Sequence, residues 1–289
     1  MRSELLGLLF GSVVTAGCGS SLSACDAMVP LSDLRPPALV QHGIAPAAEA
    51  RGRELLRQSA VAHGSAAFDA HTTWEVVLED RWSDAPLIQR RSPWPAGSTW
   101  LKLQFVAGTS NGRVEFLDGP LQGTIWGRVG DRTYALPPGG PAQWDAAPAM
   151  ASRLPTMQFL FAFPQRIQQA PHVAHVGRSE LAGRAVDVVF AAWGSVAPDP
   201  HADQFLVYLD ADDHQVVAMQ YTVRKSGRTL LGHRFWSDLR PVEGALVPFF
   251  QSSVLELDPE AAPVHSFVVR SLAFDTVPRQ AIEEVDLSP

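Results

Sequence analysis

Cysteine is nearly absent from this sequence: Cys18 and Cys25 are the whole supply, and both lie near the N-terminus. No disulfide can brace the rest of the chain, so its stability must come from packing, which a 46% hydrophobic content permits. Lysine is equally scarce, at Lys102 and Lys225 only. With a net charge of −7 and no basic block, the chain lacks the clustered cations that phosphate backbones require, which argues against nucleic acid as a partner. Long apolar runs are missing too. A spanning helix needs roughly 18 or more apolar residues, whereas the run at 5–17 (LLGLLFGSVVTAG) gives way to Cys18 and a Gly/Ser stretch. No internal repeat of fixed period is visible.

What that run does have is the layout of an export signal: Arg2, an apolar stretch, then small and polar residues ending at Cys25. Leu22-Ser23-Ala24-Cys25 resembles the lipobox of bacterial lipoproteins, in which the cysteine thiol is acylated with palmitate-type chains and the signal is cut in front of it. Thr15-Ala16-Gly17-Cys18 is a poorer match, with Thr in place of Leu. Cutting before Cys18 would leave Cys25 as a free thiol in an oxidising compartment, so Cys25 is the first choice and Cys18 the second. Two acyl chains on one residue suffice for stable anchoring. Asp26 resembles an inner-membrane retention signal described for some enterobacteria. The expectation is an exported protein on the periplasmic face of a bacterial membrane, inner or outer.

Residues 25–46, with Pro30, Pro36, Pro37 and Pro46, read as a lipid-anchored tether between a signal peptide at 1–24 and a single folded body at 47–289. Ala47 to His63 reads as a helix, with Pro46 in its first turn, Leu55, Leu56 and Val61 as an apolar stripe and Gly64 as a stop. From Trp74 the pattern changes to alternation: Trp74, Val76, Leu78 and Trp82 share one face, and Glu75, Glu79 and Arg81 the other. Similar runs at 100–106, 113–117, 123–129, 132–136, 185–193, 204–210, 215–224, 229–239, 247–258 and 264–274 are separated by turn formers such as Ser110-Asn111-Gly112 and Glu243-Gly244. So many antiparallel strands must curl, since flat open sheets rarely exceed about ten. The fold class is therefore mainly β (α+β): a large curled antiparallel sheet or half-open β-barrel with an N-terminal helix. Leu154 to Gln169 interrupts the strands with Met157, Leu160, Phe161 and Ile167 at helical spacing. Pro164 must kink or end that helix, giving a short apolar plug against the sheet.

Catalytic signals are weak. Gly108-Thr109-Ser110-Asn111-Gly112 fits G-x-S-x-G, but that motif works only where a strand turns sharply into a helix, and here an alternating run follows. A hairpin is the better reading, and a hydrolase using Ser110 the lesser alternative. His172 and His175 lack further ligands, and Asp210, Asp212, Asp213 and His214 lack the glycine and glutamate of a calcium loop. Neither nominates a metal or cofactor, and the chain reads as non-enzymatic. The aromatic strand faces suggest a cleft lined by Trp74, Val76, Leu78, Leu103, Phe105 and Phe116, with Phe159 and Phe163 on the plug above it. An apolar cavity of that kind holds apolar ligands.

Four features together resemble the superfamily of bacterial lipoprotein carriers and lipid-binding lipoproteins, LolA/LolB-like, with the RseB-like sensors and mycobacterial lipid carriers. They are the helix before the first long strand, Gly177-Arg178-Ser179-Glu180-Leu181-Ala182-Gly183-Arg184 leading into Val186-Asp187-Val188-Val189, the strand-turn-strand from Val207 to Val217, and Asp238 to Pro248 with its G-x-x-x-P step at Gly244 and Pro248. The resemblance implies a half-open barrel closed by helices over a cavity for acyl chains, with a lipid or acylated ligand as cargo. A surface-binding envelope sensor with a protein partner is the second reading.

Overall fold

A computed structural model of the chain describes residues 30–285 apart from 90, 91, 96, 225, 226 and 228. Cys18 and Cys25 lie outside the described residues. Thirteen strands numbered in chain order, among them β5 (Arg132–Leu136) and β10 (Val216–Thr222), form one open antiparallel sheet in the order β6-β5-β4-β3-β2-β1-β13-β12-β11-β10-β9-β8-β7. Two meanders, β1 to β6 and β7 to β13, are joined by the pairing of β1 (Thr73–Trp82) with β13 (His265–Phe274). The alternation read in the sequence is the cause. Residues 74, 76, 78, 80 and 82 of β1 are all buried on one face, and Trp74, Val76 and Leu78 face Phe105, Leu103 and Leu101 of β2 (Ser98–Val106) across the ladder.

Consecutive strands β6 (Gln143–Trp144) and β7 (His172–Leu181) stand at opposite edges of the sheet. The chain joins them by crossing the concave face, and there it forms α5 (Met150–Phe161) and α6 (Phe163–Ile167). The expected break falls between the two helices, with Pro164 in the first turn of α6. Ten of the twelve residues of α5 are buried, so this is a helix wrapped by protein on nearly every side. Pro155, inside α5, cannot donate to the carbonyl of Ala151. The Arg128 guanidinium of β4 (Ile125–Val129) donates to that carbonyl instead.

The other helices, which include a short α4 (Pro86–Gln89), add to both faces: Leu55, Leu56 and Phe68 join the concave-face cluster, and Leu39 the cluster on the convex face. α2 (Pro46–Ala62) runs against β7, and Gly52 is its closest approach: a Cβ there would lie 2.7 Å from the His175 backbone nitrogen. α3 (Ser65–Asp69) follows Gly64, whose φ of +67° and place against the Gly244 carbonyl suit only glycine. Gly244 itself turns the hairpin from β11 (Leu231–Val242) to β12 (Ala245–Val254).

The segment read as a tether is docked over much of its length. Leu34 is buried, its N–H donating to Gln204 Oε1 at 3.1 Å. α1 (Pro37–His42) sets Leu39 against Ala174, Phe190 and Ala192 on the convex face of β7 and β8 (Arg184–Ala192). Composition suggested an extended leash because four prolines mask two well-placed leucines. β7 was missed as a strand because Gly177 and the exposed Arg178-Ser179-Glu180 interrupt its alternation.

Candidate ligand site on the concave face

The eight residues expected to line a cleft are brought together. Trp74, Val76, Leu78, Leu103, Phe105 and Phe116 from the sheet and Phe159 and Phe163 from the plug belong to one buried cluster. The cleft between them is filled by the plug. Trp74 packs at ring-centroid distances of 4.5 Å from Phe105 and 5.9 Å from Phe161, while Phe163 stacks on Trp236 at 4.9 Å. Phe159 meets Phe205 of β9 (Gln204–Asp210) at 6.0 Å. Space remains at the mouth, where about 80 Å³ open to water-sized bodies is bounded by Trp74, Gly108, Gln158, Ala162 and Gln165. A dry cavity that admits benzene measures roughly 150 Å³, so this pocket accepts no acyl chain while the plug is seated. One polar tie crosses it: Gln158 Nε2 donates to the Val106 carbonyl at 3.0 Å.

The same concave face carries a charged floor that alternation alone should have revealed. Asp80 sits in phase with Trp74, Val76, Leu78 and Trp82, so a carboxylate points into an apolar interior. It is fully buried, its Oδ1 2.7 Å from His265 Nε2 and its Oδ2 accepting from Trp94 Nε1 at 2.7 Å. Arg234 Nη2 donates to His265 Nδ1 at 3.2 Å, and Arg234 Nη1 to Gln251 Oε1 at 3.2 Å. The imidazole is therefore neutral, with its proton on Nε2, because Nδ1 must accept. Burial pushes the His265 ring down to about 4, against the pull of Asp80. Burial alone would raise the Asp80 carboxyl, yet His265, Arg153 and the Trp94 N–H hold it below the usual carboxylate range. Arg153, from α5, is buried beside this group with its guanidinium carbon 5.3 and 5.6 Å from the Trp82 and Trp94 ring centres. Desolvation brings it down to about 10, so it stays charged at neutral pH.

The remaining candidates carry no chemistry of this kind. Ser110 lies in the loop between β2 and β3 (Gly112–Phe116), and a strand, not a helix, follows it. Asn111 bridges that loop to Gly130 N, at 2.8 Å, and to Glu283. His175 Nε2 contacts Asp187 Oδ1 at 2.9 Å, and Asp210 Oδ1 accepts from the backbone of Asp212 and Asp213 as a turn. Among the described residues, no three His, Cys, Asp or Glu side chains converge as metal ligands.

No protein-family model matches the sequence, and no curated protein matches it either. Solved structures do match its shape. A DUF1329 family protein from Desulfovibrio piger superposes with a TM-score of 0.56 at 10% identity, over 83% of this chain and 99% of that one. A domain described as an outer membrane lipoprotein-sorting protein, from Vibrio parahaemolyticus, gives 0.53 at 12% identity, over 82% and 97%. The chain shares the fold of these two structures. At this level of identity the likeness concerns architecture alone: a curled, unclosed antiparallel sheet holding helices on its concave side.

Proposed function

We propose that the protein is an exported, non-enzymatic lipoprotein, acylated at Cys25, that binds a lipid or acylated ligand on the concave face of its sheet when the plug opens over Phe159 to Pro164, the first turns of α5 staying seated. One observation carries the reading: a separate helical insert bridging the two sheet edges packs its side chains among those of the strands on the concave face. An acyl chain entering that space would regain apolar contact with Trp74, Val76, Leu78, Leu103, Phe105 and Phe116 in place of Phe159 and Phe163. Each methylene so buried is worth about 0.8 kcal/mol. The fold shared with a lipoprotein-sorting domain supports the same reading.

Native mass spectrometry of the full chain purified from membranes tests it. Bound lipid that is lost on delipidation and regained on incubation with phospholipid vesicles is the expected result. A ligand-free mass that no lipid shifts, together with a stably co-purifying protein, would instead favour a surface-binding envelope module. The anchor is tested separately: Cys25→Ser should abolish metabolic labelling with palmitate, and labelling that persists there but vanishes in Cys18→Ser would move the anchor to Cys18.

A further inference from the structure

The charged floor of the concave face is unbalanced in both charge and hydrogen bonding. Asp80 contributes one negative charge, Arg153 and Arg234 two positive ones, and the neutral His265 ring none, so the group carries a net +1 while buried. Donors also outnumber acceptors. Each Asp80 oxygen already accepts one hydrogen bond, whereas Arg153 Nε and Nη2, Arg234 Nε, Trp82 Nε1 and Gln251 Nε2 are buried with no hydrogen-bond partner. A buried cation without a counter-charge is costly, and unpaired buried donors add to the cost. Water could satisfy some of the donors, but only an anion also neutralises the charge.

The location matters as much as the imbalance. Arg153 belongs to the plug, Arg234 to β11, and Asp80 and Trp82 to β1, so the surplus donors come from both sides of the space that an acyl chain would enter. The aromatic region around Trp74 and Phe105 lies further along the same face, toward the start of β1. The concave face is thus amphipathic along its length, apolar toward one end and cationic toward the other.

We infer that this floor is an anion subsite, in which the acidic oxygens of a carboxylate or phosphate ester take the free donors of Arg153, Arg234 and Trp82. Resting on the concave face being the ligand site, the inference fixes the ligand's class as an anionic amphiphile and its direction as head toward Arg153. A guanidinium fork suits both oxyanions, since each offers two oxygens to parallel N–H groups.

Binding of laurate, dodecyl phosphate and dodecanol to the delipidated full chain, followed by the fluorescence of the tryptophans, separates the possibilities. All three share one chain length and differ in head charge. The wild type should bind the two anions at least about tenfold more tightly than dodecanol, as expected for a charge-assisted pair. In Arg153→Met that preference should fall to about one, with the fold at least as stable, because a buried charge in excess has been removed. Arg153→Lys, which keeps the charge but loses the fork, should retain only part of it and serves if the methionine variant fails to fold. Equal binding of all three by the wild type, or a preference that survives in Arg153→Met, overturns the subsite and leaves an apolar ligand site standing. If no amphiphile binds but inorganic phosphate or acetate stabilises the wild type and not Arg153→Met, the anion subsite holds and the lipid reading fails. No response to any probe refutes both.

Discussion

His265 gives the interior a defined sensitivity to acid. Folded, the ring is held down to about 4 by burial, whereas in the unfolded chain it takes a proton near its ordinary 6.5. Between those values the unfolded state binds more protons than the folded one, so stability rises with pH across that window and is lost as pH falls through it. The gap converts to roughly 3 kcal/mol, complete below about pH 4. Asp80 does not compensate there: its depressed carboxyl contributes stability above 3.8 that is lost only below that value. Urea unfolding of the wild type and His265→Gln at intervals from pH 7 to 4 isolates the effect, because glutamine can still donate to Asp80 but does not titrate. The two stabilities should converge by about 3 kcal/mol as pH drops, against a background slope common to both from His63 and His233, which burial also lowers. Parallel curves across the whole range would refute the neutral, buried assignment of His265.

Three further substitutions test the packing and the absence of a nucleophile. Gly52→Ala should destabilise the fold by roughly 1–3 kcal/mol despite alanine's better helix propensity, since its Cβ must push against β7 backbone; an increased urea midpoint would contradict the close approach of α2. Phe161→Ala removes a buried ring packed on Trp74 and Phe267 and should cost about 3–5 kcal/mol. The same change loosens the plug, so it should also speed the uptake of a fluorescent fatty acid; unchanged uptake would argue that the plug does not gate the site. Ser110→Ala should leave ligand binding and stability unaltered within about 0.5 kcal/mol, and any ester-hydrolysing activity that disappeared with it would restore the hydrolase reading.

The strands are legible where alternation is regular, as at 74–82, and illegible where it is not. β7 escaped because its middle carries Gly177 and its far half is exposed. The N-terminal helix and the broken plug were legible because Pro46 and Pro164 act through local backbone geometry alone. The docking of Leu34 and Leu39 was not, since single leucines among prolines carry no periodic signal. Asp80 differs from these: its phase with Trp74 and Trp82 is readable in the sequence, and a charge at an inward position signals a buried polar group.

By itself, then, the sequence determined what is local and periodic: the export-like start, the cysteine pair, the strand faces, the hairpin between 106 and 112, the turn at Glu243-Gly244, and the interrupting helix. Only the tertiary structure decided that the helix fills the concave face and that Arg153 meets Asp80, His265 and Arg234 there. The reason is sequence distance. Those residues come from four segments spread over nearly two hundred positions, and whether a buried arginine finds its counter-charge depends on contacts that no stretch of chain encodes alone.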